Sequence, residues 1–184
     1  ADTITVATLS SGVVGGQQGA DLLVGTRLVS ADIQLATANE GTTLEDTLSV
    51  SGLVSNSTIL SSDGADSVSV GTLVGGTTTL LDGADTLIVG SSLGGLVDVG
   101  VGADLVSASG SISAGTLLGG SGADRITLGG VTSTSSISGG YGGDTIQVDG
   151  AFASSTIRGG DPADPSSALD GGDLITLGSS ISAS

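Results

Sequence analysis

The chain has 184 residues, of which 34 are Gly; it contains no Cys, Met, Trp or His and only one Tyr and one Phe. Its formal net charge is −16, with 19 acidic residues set against three arginines (Arg27, Arg125 and Arg158) and no lysine. These figures exclude a wide aromatic core, a disulfide framework, a thiolate zinc site and a basic nucleic-acid surface.

Read from the amino terminus, an aspartate returns about every nineteen or twenty residues and opens a short phrase of alternating apolar and polar residues. The phrases are DTITV at Asp2, a weaker DLLVG at Asp21, DTLSV at Asp46, DSVSV at Asp66 and DTLIV at Asp85. They continue as DLVSA at Asp104, DRITL at Asp124, DTIQV at Asp144 and DLITL at Asp173. Alternation over four residues predicts a half-buried strand. A fixed period of this length predicts stacked supersecondary units, each too small to fold alone.

Counting from each Asp, positions +2 and +4 point inward, as in Leu48/Val50, Val68/Val70, Leu87/Val89 and Ile126/Leu128. A second inward slot falls at +7 or +8 and holds Leu9, Leu28, Leu53, Leu73, Leu93, Ile112, Val131, Phe152 and Ile181. A third lies seven residues before the next Asp: Val14, Ile59, Thr78, Val97, Leu117, Ile137 and Ile157. Four inward side chains per coil suit a flat roll with two short strands in each turn.

The expected fold is therefore all-β: a parallel β-solenoid, or β-roll, forming one domain over 1–184. With about nine coils at roughly 4.8 Å each, the rod is about 43 Å long. Irregular insertions are expected near 36–43 and 161–172, where the coil is long and where Pro162 and Pro165, the only prolines, stand. The missing initiator Met and the mid-pattern ending LGSSISAS suggest a mature product or a piece of a longer chain.

The segments leading into the aspartates are rich in glycine: GGQQGAD, SSDGAD, LLDGAD, VGVGAD, GGSGAD and GGYGGD. GGSGADRIT (119–127) and GGYGGDTIQ (139–147) resemble the RTX nonapeptide G-G-x-G-x-D-x-U-x. With the motif once per coil, the chain resembles a one-sided variant of such rolls, of the kind found in bacterial surface-layer and adhesin proteins. The resemblance implies a right-handed roll that binds several calcium ions along one edge. Its implied ligands are Asp104, Asp124 and Asp144, followed by Asp85, Asp66 and Asp21. Gly102, Gly120, Gly122, Gly140 and Gly142 form the turns, and Asp63 and Asp82 stand as further donors.

Stacked carboxylates about 5 Å apart repel by roughly 3 kcal/mol per pair at an effective dielectric of 20, a penalty that a cation converts into a cross-link. The alternative is a metal-free turn whose Asp accepts hydrogen bonds from nearby backbone N–H groups. Asp66 and Asp85 lack the leading glycines and Asp46 follows TTLE, so these loops depart from the nonapeptide.

Catalysis is not expected. Without His, Cys or Lys nothing activates the many serines, and a carboxylate-pair glycosidase lacks aromatic sugar platforms. The favoured function is a non-enzymatic, extracellular or cell-surface structural repeat: a surface layer, filament or adhesin stalk that packs end to end or laterally into a homo-oligomer or fibre. No nucleic acid and no membrane insertion are expected, since no apolar run approaches the roughly 18 residues of a spanning helix. Two alternatives remain, a calcium-triggered folding and secretion module of a larger RTX protein and an ice-binding solenoid. Against the second, the loop x positions hold Val101/Ala103, Ser121/Ala123 and Tyr141/Gly143 instead of a threonine ladder.

Overall fold

A computed structural model describes residues 1–16, 19–35, 44–130, 132–161, 170–178 and 181–182. The expected insertion at 36–43 and most of that at 161–172 lie outside the described residues. The chain winds as an all-β parallel solenoid in which each strand pairs with its equivalents one period before and after. It makes about seven turns, slightly fewer than the nine coils expected.

The phrases build one face, from Thr3–Leu9 and Leu22–Val29 through Thr86–Val89, Leu105–Ala108, Arg125–Leu128 and Thr145–Val148 to Leu174–Leu177. Its inward rows are the expected +2 and +4 positions, and Leu48, Val68, Leu87, Ile126 and Ile146 are fully buried. The opposite face stacks Gly12–Gly15, Ala31–Gln34, Ser92–Asp98, Ser111–Ser121, Ser136–Tyr141 and Thr156–Arg158. Between the faces lies one continuous aliphatic cluster. A medium-sized side chain at each slot fills so narrow an interior at close packing without any large ring.

Three expectations about this interior change. Val54, not Leu53, takes the second slot, pairing with Leu28 and Leu73, because the ladder shifts register between Val50 and Leu53. Val131 lies outside the described residues, and Thr132 stands between Ile112 and Phe152, fully buried. A further inward row five residues before the Asp, Leu80 and Val99 among its members, completes the core.

Nor are there always two short strands per coil. Thr47–Leu60 and Ser67–Thr79 run through the far bend as strands of 14 and 13 residues. The bend is made by left-handed residues, Asn56 (φ 48°) in the first strand and Gly75 and Gly76 (φ 67° and 81°) in the second, and the ladder continues around it. Among the described residues no helix is long and apolar enough to cross a membrane.

Candidate functional site

The aspartates line one edge of the solenoid and are buried: Asp21, Asp46, Asp66, Asp85, Asp104, Asp124 and Asp144 are each at most 4% exposed. They form a single ladder. The backbone N–H of each donates to Oδ1 of the Asp one coil later, from Asp2 to Asp21 through Asp144 to Asp173, at 2.5–2.9 Å. In return, the carbonyl of each Asp accepts the N–H that opens the next strand, as Arg125 donates to Asp104 and Thr145 to Asp124, both at 2.8 Å. Asp thus opens every phrase because its short carboxylate reaches one coil spacing and closes the ladder at the strand entrance. These bonds run between coils rather than within a turn.

The structure gathers Asp21, Asp66, Asp85, Asp104, Asp124 and Asp144 from the expected set and adds Asp46. Asp63 and Asp82 do not join them; both side chains are exposed on the outer rim. Their segments are used there as backbone, with the Gly64 N–H donating to the Asp82 carbonyl at 2.6 Å.

The expected glycines hold the edge tight. Gly102, Gly122 and Gly142 adopt φ of 159°, 137° and 122°, and a Cβ on any of them would strike the carbonyl of Gly83, Gly102 or Gly122 in the coil before. Gly120 and Gly140, also at positive φ, sit equally close against the carbonyls of Gly100 and Gly120. Tyr141 is half-buried and pairs with Ser121 in the adjacent coil.

The second carboxylate oxygen divides the row. Oδ2 of Asp21, Asp85, Asp104, Asp124 and Asp144 is buried with no hydrogen-bond partner. At Asp46 and Asp66 a residue that the sequence analysis did not single out, Ser62, supplies the donors. Its hydroxyl donates to Asp46 Oδ2 at 2.9 Å, and its backbone N–H donates to Asp66 Oδ2 at 3.1 Å. The only sequence signal was the substitution of SS for GG in SSDGAD.

Backbone conformation accounts for the difference between Asp66 and the four aspartates that follow it. The residue four before the Asp has positive φ at Leu81 (62°), Gly100 (96°), Gly120 (98°) and Gly140 (111°), but not at Ser62. In that conformation its amide turns away from the carboxylate. Gly100 N–H goes to Asp98 Oδ1 at 3.2 Å, and Gly140 N–H to the Gly159 carbonyl at 2.8 Å.

Burial pushes the carboxyl pKa of Asp85 and Asp124 up to about 7 and that of Asp104 to about 6. Asp46, Asp66 and Asp144 are raised for the same reason. The amide from the preceding coil opposes the rise in each case, and neighbouring carboxylates add to it at Asp85 and Asp124.

These oxygens suit a hard cation. A Cβ on Gly119 would meet Asp124 Oδ2 at 2.7 Å and the Gly139 carbonyl, and one on Gly139 would meet Asp144 Oδ2 and the Gly159 carbonyl. A carboxylate oxygen without a donor and a carbonyl from the next coil therefore converge on one bare glycine. No group of three or more acidic side chains converges among the described residues. Backbone carbonyls would have to complete any coordination shell.

On the second face a hydroxyl row was also missed. Thr58, Thr77, Thr116, Ser136 and Thr156 share one outward register, broken by Leu96. Comparison with family models, with curated proteins and with solved structures finds no match for this chain.

Proposed function

We propose that this chain is a non-enzymatic structural repeat protein of an extracellular assembly (a surface layer, filament or adhesin stalk) whose roll is reinforced by calcium along the aspartate edge. The observation that carries the reading is the inter-coil ladder from Asp2 to Asp173, which ties every phrase to the next in one direction. Such a ladder makes a rod, and it uses its carboxylates as structural acceptors rather than presenting them to a substrate.

The nonapeptide-like loops at 119–127 and 139–147 support an RTX-type one-sided roll. In it Asp104, Asp124 and Asp144 would hold calcium with carbonyls of the glycine turns, and Asp85 and Asp21 would follow. When bound, calcium supplies the positive charge that the unpartnered Oδ2 atoms lack, with an all-oxygen shell of six to eight ligands. The chain's own residues keep the coils in register through Oδ1 and exclude water from the edge.

Copies would pack end to end or laterally into a homo-oligomer or fibre. Open parallel edges recruit strands in this way.

A second reading, a calcium-triggered folding and secretion module, draws on the same buried oxygens, because cation binding would then supply folding free energy. Circular dichroism during a calcium titration of EGTA-stripped protein, with light scattering recorded alongside, separates the two. A coil-to-β transition with rising scattering supports the assembling protein, and the transition without scattering supports the module. A β spectrum indifferent to EGTA would sink the calcium reading.

A further inference from the structure

We infer that the two coils joined at Ser62, residues 46–79, form a cation-independent segment of the solenoid, and that the coils from Asp85 to Asp144 depend on a divalent cation for their order. The inference rests on the calcium reading above and assigns to Ser62 the part that the cation plays elsewhere.

The geometry is specific to this place. Ser62 is 4% exposed and lies between two consecutive ladder carboxylates. Its one hydroxyl proton serves Asp46 and its amide serves Asp66, so neither Oδ2 remains without a donor. Its neighbour Ser61 donates from Oγ to the Leu80 carbonyl at 2.7 Å, which ties this loop to the following coil as well. At Asp85, Asp104, Asp124 and Asp144 the equivalent oxygen is buried and unmatched. A buried acceptor without a donor carries its whole desolvation cost, and a charged one more.

The strands agree with the loops. Thr47–Leu60 and Ser67–Thr79 pair at eleven positions along strands that run unbroken around the far bend, whereas the coils after Asp85 pair at ten positions split between two shorter strands, four from Thr86–Val89 to Leu105–Ala108 and six from Ser92–Asp98 to Ser111–Ser121. Among the described residues, the strands unbroken around the bend thus coincide with the loop whose serine meets both neighbouring carboxylates. Sub-global opening follows such differences, because coils of a solenoid depend mainly on their neighbours.

Hydrogen exchange read by mass spectrometry on the whole chain at pH 7.5 tests this, in EGTA and in millimolar calcium. In EGTA, peptides within 47–60 and 67–79 should exchange about tenfold slower than those covering 105–108, 125–128 and 145–148, the factor expected for one unmatched buried acceptor. Calcium should slow the second group and leave the first nearly unchanged. Ser62→Ala, which takes the donor from Asp46 and keeps the amide bond to Asp66, should lower the protection of 46–79 in EGTA. Ser62→Thr, which keeps both the hydroxyl and the amide, should retain it.

Uniformly fast exchange in EGTA, with calcium protecting all coils alike, overturns the inference and leaves the calcium reading standing. Uniform protection that ignores calcium overturns both. Slow exchange of 47–79 that persists in Ser62→Ala overturns the role given to Ser62.

Discussion

The loop Ser61–Asp66 and the loops Gly119–Asp124 and Gly139–Asp144 stack on the same edge with the same Oδ1 bond, yet they treat Oδ2 in opposite ways. Where the chain reads SSDGAD, an amide and a hydroxyl meet the carboxylates. In GGSGAD and GGYGGD the glycines turn the amide outward, and the oxygen is left bare. The loops that resemble the RTX nonapeptide best are thus among those least able to satisfy themselves. On the calcium reading proposed above, that shortfall is what a cation would make good, because a site already satisfied from within has no use for a ligand.

The largest expected effect is that of pH without cation. Folding raises the carboxyl pKa values above the unfolded value of 3.8, to about 6 at Asp104 and about 7 at Asp85 and Asp124. The folded state therefore holds protons that the unfolded state has released. Stability should be fullest below about pH 4 and fall as pH rises through 6 and 7. Thermal melts in EGTA at pH 4.5 and pH 7.5 measure this, with the higher Tm expected in acid. Calcium should flatten the slope on the neutral side. A Tm that rises toward pH 7.5 in EGTA would show that the row is not desolvated.

Next comes a substitution that should ignore the difference between the loops. Gly122→Ala places a Cβ against the Gly102 carbonyl at a φ of 137°, and Gly64→Ala places one against the Leu44 carbonyl at 139°. Each should cost roughly 2–4 kcal/mol, in EGTA and in calcium alike, by chemical denaturation. A harmless Gly122→Ala would mean that the coils are not stacked so closely.

Asparagine substitution should then divide the loops by sign. In Asp124→Asn the amide oxygen keeps the bond from the Asp104 N–H. The new NH₂ takes the place of the bare Oδ2 and faces the Gly139 carbonyl. That change should stabilise the cation-free protein at pH 7.5 by about 1 kcal/mol and weaken its response to calcium. In Asp66→Asn the NH₂ would confront the Ser62 N–H, a donor against a donor, and the cost should be about 1–3 kcal/mol. Equal shifts in both variants would erase the distinction.

Fold class was legible because both of its signals repeat. Alternation in DTLSV or DTIQV fixes which side faces inward, and the recurring Asp sets where each strand begins. Register inside a coil was harder to read. One additional residue near Gly52 moves the inward slot from Leu53 to Val54, and both are aliphatic, so the sequence pattern contains no penalty to reveal the slip. The candidate edge was legible as a row of Asp and Gly, but its chemistry was not. From Asp66 onward, whether the buried oxygen finds a donor follows the sign of φ at a single residue, and Leu81 shows that glycine is not the only residue to take the positive value there. Asp63 and Asp82, three residues before the ladder, lie exposed on the rim.

The smallest effect concerns the same kind of defect without a charge. Thr132 lies in the inward row between Ile112 and Phe152, fully buried, and its Oγ1 has no partner. Unlike the bare carboxylate oxygens, a neutral hydroxyl in an aliphatic row cannot be relieved by protonation or by a cation. It can be relieved only by removal. Val has nearly the same shape, and the strand already favours a β-branched side chain. Thr132→Val should therefore raise stability by about 1 kcal/mol, to the same extent in EGTA and in calcium, since the slot is walled off from the aspartate edge by the core. A gain that appeared only in calcium would mean that the two ladders communicate, and the interior could no longer be treated as independent of the edge.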